Sequence, residues 1–322
     1  MRLRRVPATT RSHLALLLKL GWLLAVSWLV ATGLSDPARA SEIAVLKSSS
    51  DIAAYNQAVK TLKAELPASV TVTEYDLQGD VARGQKLARK VRASDAAAVV
   101  AVGLKAALVA KLEIVDVPVI FCMVLDPARY DLRAPNLIGI SLQIPIERQF
   151  DTIRAILPKA TRVGVLYDPD KTGGLVEDAR RTGKSLGIAL IERQVRAEKQ
   201  VPAVLRELLP QIEALWLVPD STILTEDSLR FVLSTALDHN VPVAGFSPEF
   251  VRNGALLGLS VSPVDIGKQA GVLAKKILQG EAPPSQASVP PERVRLAINL
   301  KIAKFLGVTL PPEVVSRADD VY

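Results

Sequence analysis

Three consecutive serines, Ser48, Ser49 and Ser50, stand between the apolar run "EIAVLK" and a stretch with helical spacing. A nucleophile, a phosphate cradle, a ligand clamp and a helix cap can each use serine at such a junction. The nucleophile has no obvious base. Outside the first forty residues the one histidine is His239, in "LDHNVP", at a helix-to-strand turn on the side of the sheet opposite the strand carboxyl ends. "TGKS" (182–185) ends like a phosphate-binding loop, but that pattern needs glycine at 178, where the chain has Asp178. "GLSVS" (258–262) lacks the second glycine of a nucleophile elbow. No set of His, Cys and carboxylates has metal-ligand spacing, and no Gly-x-Gly-x-x-Gly follows a strand, so neither a metal nor a cofactor is expected. Clamp and cap remain. They are compatible, because Ser50 or Asp51 can start the next helix while its neighbours face a ligand.

The elements that must position these hydroxyls are legible in the hydropathy. Short Val/Ile/Leu-rich runs alternate with helical patterns: "EIAVLK" (42–47), "VTVTEYDL" (70–77), "AAAVVAVG" (96–103), "VPVIFCMVL" (117–125) and "NLIGISL" (136–142). The series then restarts with "RVGVLYD" (162–168), "IALIERQV" (188–195), "EALWLVPD" (213–220), "VPVAGFS" (241–247) and "ALLGLSV" (255–261). Between the first two runs, Ile52, Tyr55, Val59, Leu62 and Leu66 step by three and four along one helix face. Runs apolar on both faces suit parallel strands covered by helices on each side. The expected fold is therefore α/β, with two similar Rossmann-like lobes and parallel sheets. A helix over 263–279, a Pro-rich linker "GEAPPSQASVPP", the run "RVRLAINL" and a closing helix over 301–307 do not fit a simple tandem. The tail is expected to cross back, giving each lobe the element it lacks and leaving a cleft between them. The expected division is residues 41–142 with about 262–281 in one lobe, and 143–261 with about 285–322 in the other.

Residues 1–40 read as a cleavable secretory signal peptide. Arg2, Arg4, Arg5 and Arg11 precede an uncharged apolar run, Leu20 to Leu34, followed by Ala38-Arg39-Ala40. Fifteen residues are fewer than the ~20 that a membrane-spanning helix needs. No cysteine lies near the cleavage site, so a lipoprotein anchor is not expected. The segment holds six basic residues and one acidic residue, and its removal takes the formal charge from +7 to +2. Nucleic-acid binding is excluded on that ground and on the lack of a basic block with interleaved aromatics. The single cysteine, Cys122, allows no intrachain disulfide and reads as a buried thiol.

The closing stretch "LAINLKIAKFLGVTLPPEVVSRADDVY" resembles the ending of ABC-transporter substrate-binding proteins with the type I periplasmic-binding fold, the group that includes tryptophan- and other aromatic amino-acid-binding members. "VPVIFCMVLDP", "NLIGISL", "LPKATRVGVLYDP" and "VRNGALLGLSVSPVDIGKQAGVLAKKILQGEAP" extend the resemblance along the chain. It departs at "RAPN" (133–136), where the family usually has Pro-Gly-Gly-Asn, and at Leu104-Lys105, where it usually has a small polar residue. The resemblance implies a periplasmic protein, monomeric, that catalyses nothing, binds a small molecule such as an amino acid by lobe closure, and delivers it to an ABC permease in the inner membrane. A ligand-sensing receptor subunit and a secreted α/β enzyme are the competing classes.

A zwitterionic ligand needs donors for its carboxylate and an acceptor for its ammonium. Ligands of α/β sheets gather at strand carboxyl ends, beside helix N-termini. The candidate donors there are the N–H groups and hydroxyls around Ser48, Ser49, Ser50 and Gly103, Leu104, Lys105. Asp126 and Asp220, one per lobe, are the candidate acceptors, against an ordinary role as turn residues. Tyr167 and Phe246 are the candidate apolar walls, against a place in the core. Trp216 is expected to be buried against a helix.

Overall fold

The computed structural model describes residues 42–281 and 287–322; the expected signal segment lies outside them. Among the described residues no helix is long and apolar enough to cross a membrane.

The first series of apolar runs becomes β1 (Glu42–Lys47), β2 (Thr71–Asp76), β3 (Ala96–Val102), β4 (Val119–Val124) and β5 (Leu137–Ser141). With α1 (Ala53–Glu65), α2 (Val81–Arg92) and α3 (Leu104–Glu113) between them, they form a parallel sheet. Every residue of β4 and β5 is buried, as expected of strands covered on both faces. On one face Ile43, Val45, Val100 and Ile120 pack with Val59 and Leu62 of α1. On the other, Leu46, Val99 and Phe121 pack with Val91 of α2 and Val109 of α3.

Two residues of "NLIGISL" have specific duties. A side chain at Gly139 would place its Cβ 1.9 Å from the Phe121 ring, so only glycine fits beneath that ring. Asn136 Nδ2 donates to the Ile114 and Val117 carbonyls at 2.9 and 2.8 Å, tying the start of β5 to the loop before β4.

The second series gives α4 (Ile146–Ile156), β6 (Arg162–Tyr167), α5 (Pro169–Ser185), β7 (Ala189–Gln194), α6 (Val201–Leu208), β8 (Ala214–Trp216), α7 (Glu226–Asp238), β9 (Val243–Gly245), α8 (Pro248–Arg252) and β10 (Leu257–Ser260). Helix α9 (Pro263–Leu278) follows, then β11 (Ser288–Val289), β12 (Arg295–Ile298), α10 (Leu300–Phe305), α11 (Pro312–Arg317) and β13 (Asp320–Val321). The first sheet has the order β11-β5-β4-β3-β1-β2 and the second β13-β12-β10-β9-β8-β6-β7. The one antiparallel pair named in either sheet is β10 with β12.

The tail supplies both halves. Helix α9 packs on α1 so closely that a Cβ at Gly267 would stand 2.1 Å from the Ala58 carbonyl oxygen, and one at Gly271 2.8 Å from that of Leu62. Strand β12 enters the second sheet, while β11 pairs with β5 in the first. The chain therefore passes between the two sheets three times among the described residues: from β5 to α4, from β10 to α9, and from β11 to β12.

Five of the eleven described α-helices start at a side-chain cap. Asp80, Asp168, Thr225, Ser262 and Asn299 cap α2, α5, α7, α9 and α10. Helix α1 departs from expectation: its N-cap is Ile52, without a side-chain bond, and neither Ser50 nor Asp51 caps it. The missing cap is worth about 1 kcal/mol. Burial of Val59 and Leu62 contributes about 2 kcal/mol each and outweighs it.

Candidate functional site

The carboxyl ends of the strands of both sheets border two hollows that share Leu125, Gln143, Leu175 and Pro219. The smaller, of about 260 Å³, has Met123 and Leu142 from the first sheet on one side and Trp216, Phe246 and Leu259 from the second on the other. No charged side chain lines it. The larger, of about 570 Å³, adds Asp126, Arg129, Asp170 and Lys171. Arg129 Nη1 donates to the Lys171 carbonyl at 3.2 Å across this opening. A largely apolar slot continuous with a charged antechamber can hold a molecule with an apolar body and a polar end.

The serines line neither hollow; they follow β1, in the sheet that also carries β4 and β5. The Ser48 backbone N–H donates to the Val102 carbonyl at 2.9 Å, and its Oγ accepts from the Ala106 N–H at 3.0 Å. Ser48 is thus the side-chain cap of α3, a helix that its own N-cap residue, Gly103, cannot cap. Gly103 has a φ of +88°, and a Cβ there would meet Ser48 Oγ at 2.7 Å and the Tyr55 ring at 2.8 Å. Close approach and backbone conformation both demand glycine.

Ser49 Oγ accepts from the Asp51 N–H at 3.1 Å. The Ser50 N–H donates to Asp76 Oδ2 at 3.3 Å, and Asn56 Nδ2 donates to the Ser50 carbonyl at 2.7 Å. Burial raises the Asp76 pKa most, yet the N–H groups of Gln78 and Ser50 and the charge of Lys47 hold it below the usual carboxylate value. Lys105 Nζ donates to the Gly79 carbonyl at 2.6 Å. The fold therefore brings Ser48, Ser49, Ser50, Gly103, Leu104 and Lys105 to one corner, at the ends of the neighbouring strands β1 and β3.

The remaining candidates separate. Phe246 lines the smaller hollow and meets Phe250 edge to face, with centroids 4.7 Å apart. Asp126 lines the larger one, and its Oδ1 accepts from the Arg129 N–H at 3.1 Å, the turn role anticipated for it. Tyr167 is only 5% exposed and lies in the core of the second lobe, its hydroxyl accepting from Gln194 Nε2 at 3.3 Å.

Asp220 is 1% exposed. Its Oδ2 accepts from the Asp168 N–H at 2.8 Å and the Thr172 hydroxyl at 2.5 Å, and its Oδ1 from the Thr222 N–H at 2.9 Å. Thr222 in turn donates to Asp168 Oδ2 at 2.7 Å. That hydrogen bond, ahead of the opposing desolvation, sets the Asp168 pKa below its ordinary value. Asp220 is a knot holding the ends of β6 and β8 together, with three donors already on its carboxylate.

Several lining residues carried no sequence signal of their own. Trp216 packs edge to face on Phe150 of α4, centroids 5.4 Å apart, as expected of a tryptophan buried against a helix, yet it also walls the smaller hollow. Its indole Nε1 donates to Gln149 Oε1 at 2.9 Å, and Gln149 Nε2 donates to the Ile144 carbonyl at 2.8 Å. Met123 enters through a local irregularity of β4 that no periodicity announces. The one described histidine, His239, has Nδ1 2.8 Å from the Thr235 carbonyl oxygen at the end of α7. Among the described residues no group of three His, Cys, Asp or Glu is placed to hold a metal ion.

A family model described as ABC transporter substrate binding protein matches residues 43–322. A tyrosine-binding protein of Clostridioides difficile (strain R20291) is 22% identical over 222 residues, spanning 66% of this chain and 64% of that one. An uncharacterised protein of Rickettsia prowazekii (strain Madrid E) is 26% identical over 168 residues, 52% of this chain and 54% of that one. The match thus spans less than two thirds of the length of these curated relatives. Among solved structures, the ligand-free, open form of a Clostridium difficile substrate-binding protein with adhesive properties has a TM-score of 0.73 at 20% identity, over 88% of this chain and 99% of that one. A Streptococcus pneumonia ABC domain in complex with L-Trp has a TM-score of 0.58 at 22% identity, over the same 88% and 99%.

Proposed function

The chain belongs to the ABC transporter substrate-binding protein family and has the two-lobed type I periplasmic-binding fold, and from that premise we propose that it is the solute-binding component of an ABC importer. In this reading it works in the periplasm as a monomer, closes its lobes on an amino acid or related compound with an apolar body, presents the closed form to an inner-membrane permease, and catalyses nothing. Of the described residues, one lobe comprises 42–142 with about 262–281, to which the pairing of Ser288–Val289 adds a short edge strand; the other comprises 143–261 and the rest of the described tail.

The observation that carries the reading is the hollow of about 260 Å³ that Met123 and Leu142 share with Trp216 and Phe246 from the opposite sheet. A ligand held by both walls stabilises the closed state through contacts the open state lacks, and that differential affinity drives closure. The tyrosine-binding and L-Trp-bound relatives support an amino acid with a ring-bearing side chain. Ser49, Ser50 and Gly103 to Lys105 are the proposed contacts for its polar end, with Asp126 at the mouth and Phe246 as a wall; Tyr167 and Asp220 support the second lobe from within.

Native mass spectrometry of gently purified protein, followed by a thermal-shift panel and small-angle scattering, tests this. A ligand at about 100 times its dissociation constant stabilises by roughly 2.7 kcal/mol, and the radius of gyration falls as the lobes close. The absence both of a co-purifying molecule and of a shift with amino acids, short peptides, sugars or small organic acids would sink the proposal.

A further inference from the structure

Met123 has an unusual backbone for a residue in a strand. Its φ is +59°, in the left-handed region where a Cβ is strained. Strand β4 pairs Phe121 with Gly139 and Val124 with Ser141, so β4 takes three steps where β5 takes two. That extra residue is a β-bulge. Phe121 and Val124 pack in the cluster that includes α2 and α3, whereas Cys122 and Met123 both pack in the one that includes α1 and α9. Regular alternation would send consecutive side chains to opposite faces. The bulge instead keeps Met123 beside Cys122 and delivers it to the hollow walled across from it by Trp216 and Phe246. Such outliers cluster at ligand clamps, where the surrounding structure holds a conformation the chain alone would not adopt.

Resting on the reading of this hollow as the ligand site, we propose that Met123 is a specificity-determining residue: the bulge sets its thioether as the first-lobe wall of the slot, where it packs against a planar apolar group of the ligand and limits the size of group admitted. An unbranched thioether adapts to a ring face or edge, and sulfur makes favourable contacts with aromatic rings. The slot offers such a group apolar and aromatic walls and no charge to desolvate.

The sequence supplies its own reporter, because its two methionines are Met1 and Met123. Protein labelled with ¹³C-methyl methionine gives one internal methyl resonance. The probes are L-phenylalanine, L-tyrosine and L-tryptophan, with L-leucine as an apolar compound that lacks a ring. At least one ring-bearing probe should raise the melting temperature and move the Met123 methyl through its ring current. Met123→Gly suits the positive φ and empties the slot, and should move the preference toward the larger rings by about tenfold or more. Met123→Leu keeps the volume and should keep the order of preference. If the glycine variant does not fold, Met123→Ala carries the size test. A probe that raises the melting temperature without moving the Met123 methyl overturns the proposal, as does an unchanged order of preference in the truncated variant; either leaves the ligand-site reading standing. No melting shift and no methyl shift with any probe overturns both.

Discussion

Ser48 and Ala106 lie 58 positions apart, yet the Ser48 hydroxyl accepts the Ala106 backbone N–H at 3.0 Å. A serine at the end of one strand thus caps the helix that leaves another, and couples β1 to α3 through a buried bond. Ser48→Ala should lower the stability of the unliganded protein by about 1 kcal/mol or somewhat more, because the orphaned N–H is buried. Ser49→Ala with Ser50→Ala should leave the unliganded urea midpoint nearly unchanged and reduce the ligand-induced thermal shift. A Ser48→Ala variant as stable as the parent would show that the bond contributes nothing.

Asp220→Ala should destabilise the protein by roughly 3 kcal/mol, since it strands buried donors from Asp168, Thr172 and Thr222 at once. Its neighbour gives the pH dependence. The Thr222 hydroxyl, and after it the Asp170 N–H, hold the folded pKa of Asp168 below the unfolded value. The stability linked to Asp168 is therefore present in full above the unfolded value of about 3.9 and is lost as the pH falls through the lower folded value. Urea midpoints from about pH 6 down to about pH 2 should fall less steeply for Asp168→Asn than for the parent. An Asp220→Ala protein that keeps its stability and loses only ligand affinity would return Asp220 to the binding site.

Burial pushes the Cys122 thiol up to about 12. With the thiolate suppressed and the side chain enclosed by β3, α1 and α9, native protein should resist iodoacetamide at pH 8 and take up one equivalent per chain on unfolding. Mass spectrometry of quenched time points reads this directly. Rapid labelling of the folded protein would mean that β4 opens without global unfolding.

The sheets were legible in the sequence because burial on both faces leaves uninterrupted apolar runs, as in Val119–Val124. The same property hides the β4 bulge: where every residue is apolar, an extra one breaks no alternation. The α1 cap was misread because Ser50 and Asp51 have suitable side chains, but Ser50 is held by Asp76 and Asn56, and the helix starts after Ile52. Asp220 looked available because the partners that engage its Oδ2, Asp168 and Thr172, stand 52 and 48 positions away. Beyond the closing helix expected at 301–307, no hydropathy pattern marks β11, α11 or β13, elements of two to six residues that exist only by docking on larger ones.

The glycine seat of α9 on α1 has a consequence in time. The ribosome releases β1 to β5 first, but of the two helices that cover Ile43, Val45, Val100 and Ile120 on one face, only α1 comes with them; the other comes from residues 263–278, and the edge strand beside β5 from 288–289. Until those residues are synthesised, that face of the first core is only partly covered, and the nascent chain cannot settle into its final state whatever its local propensities. Late closure lengthens the interval in which the unfinished first lobe exposes apolar surface. The contact that makes the finished lobe rigid is also the one that postpones its folding.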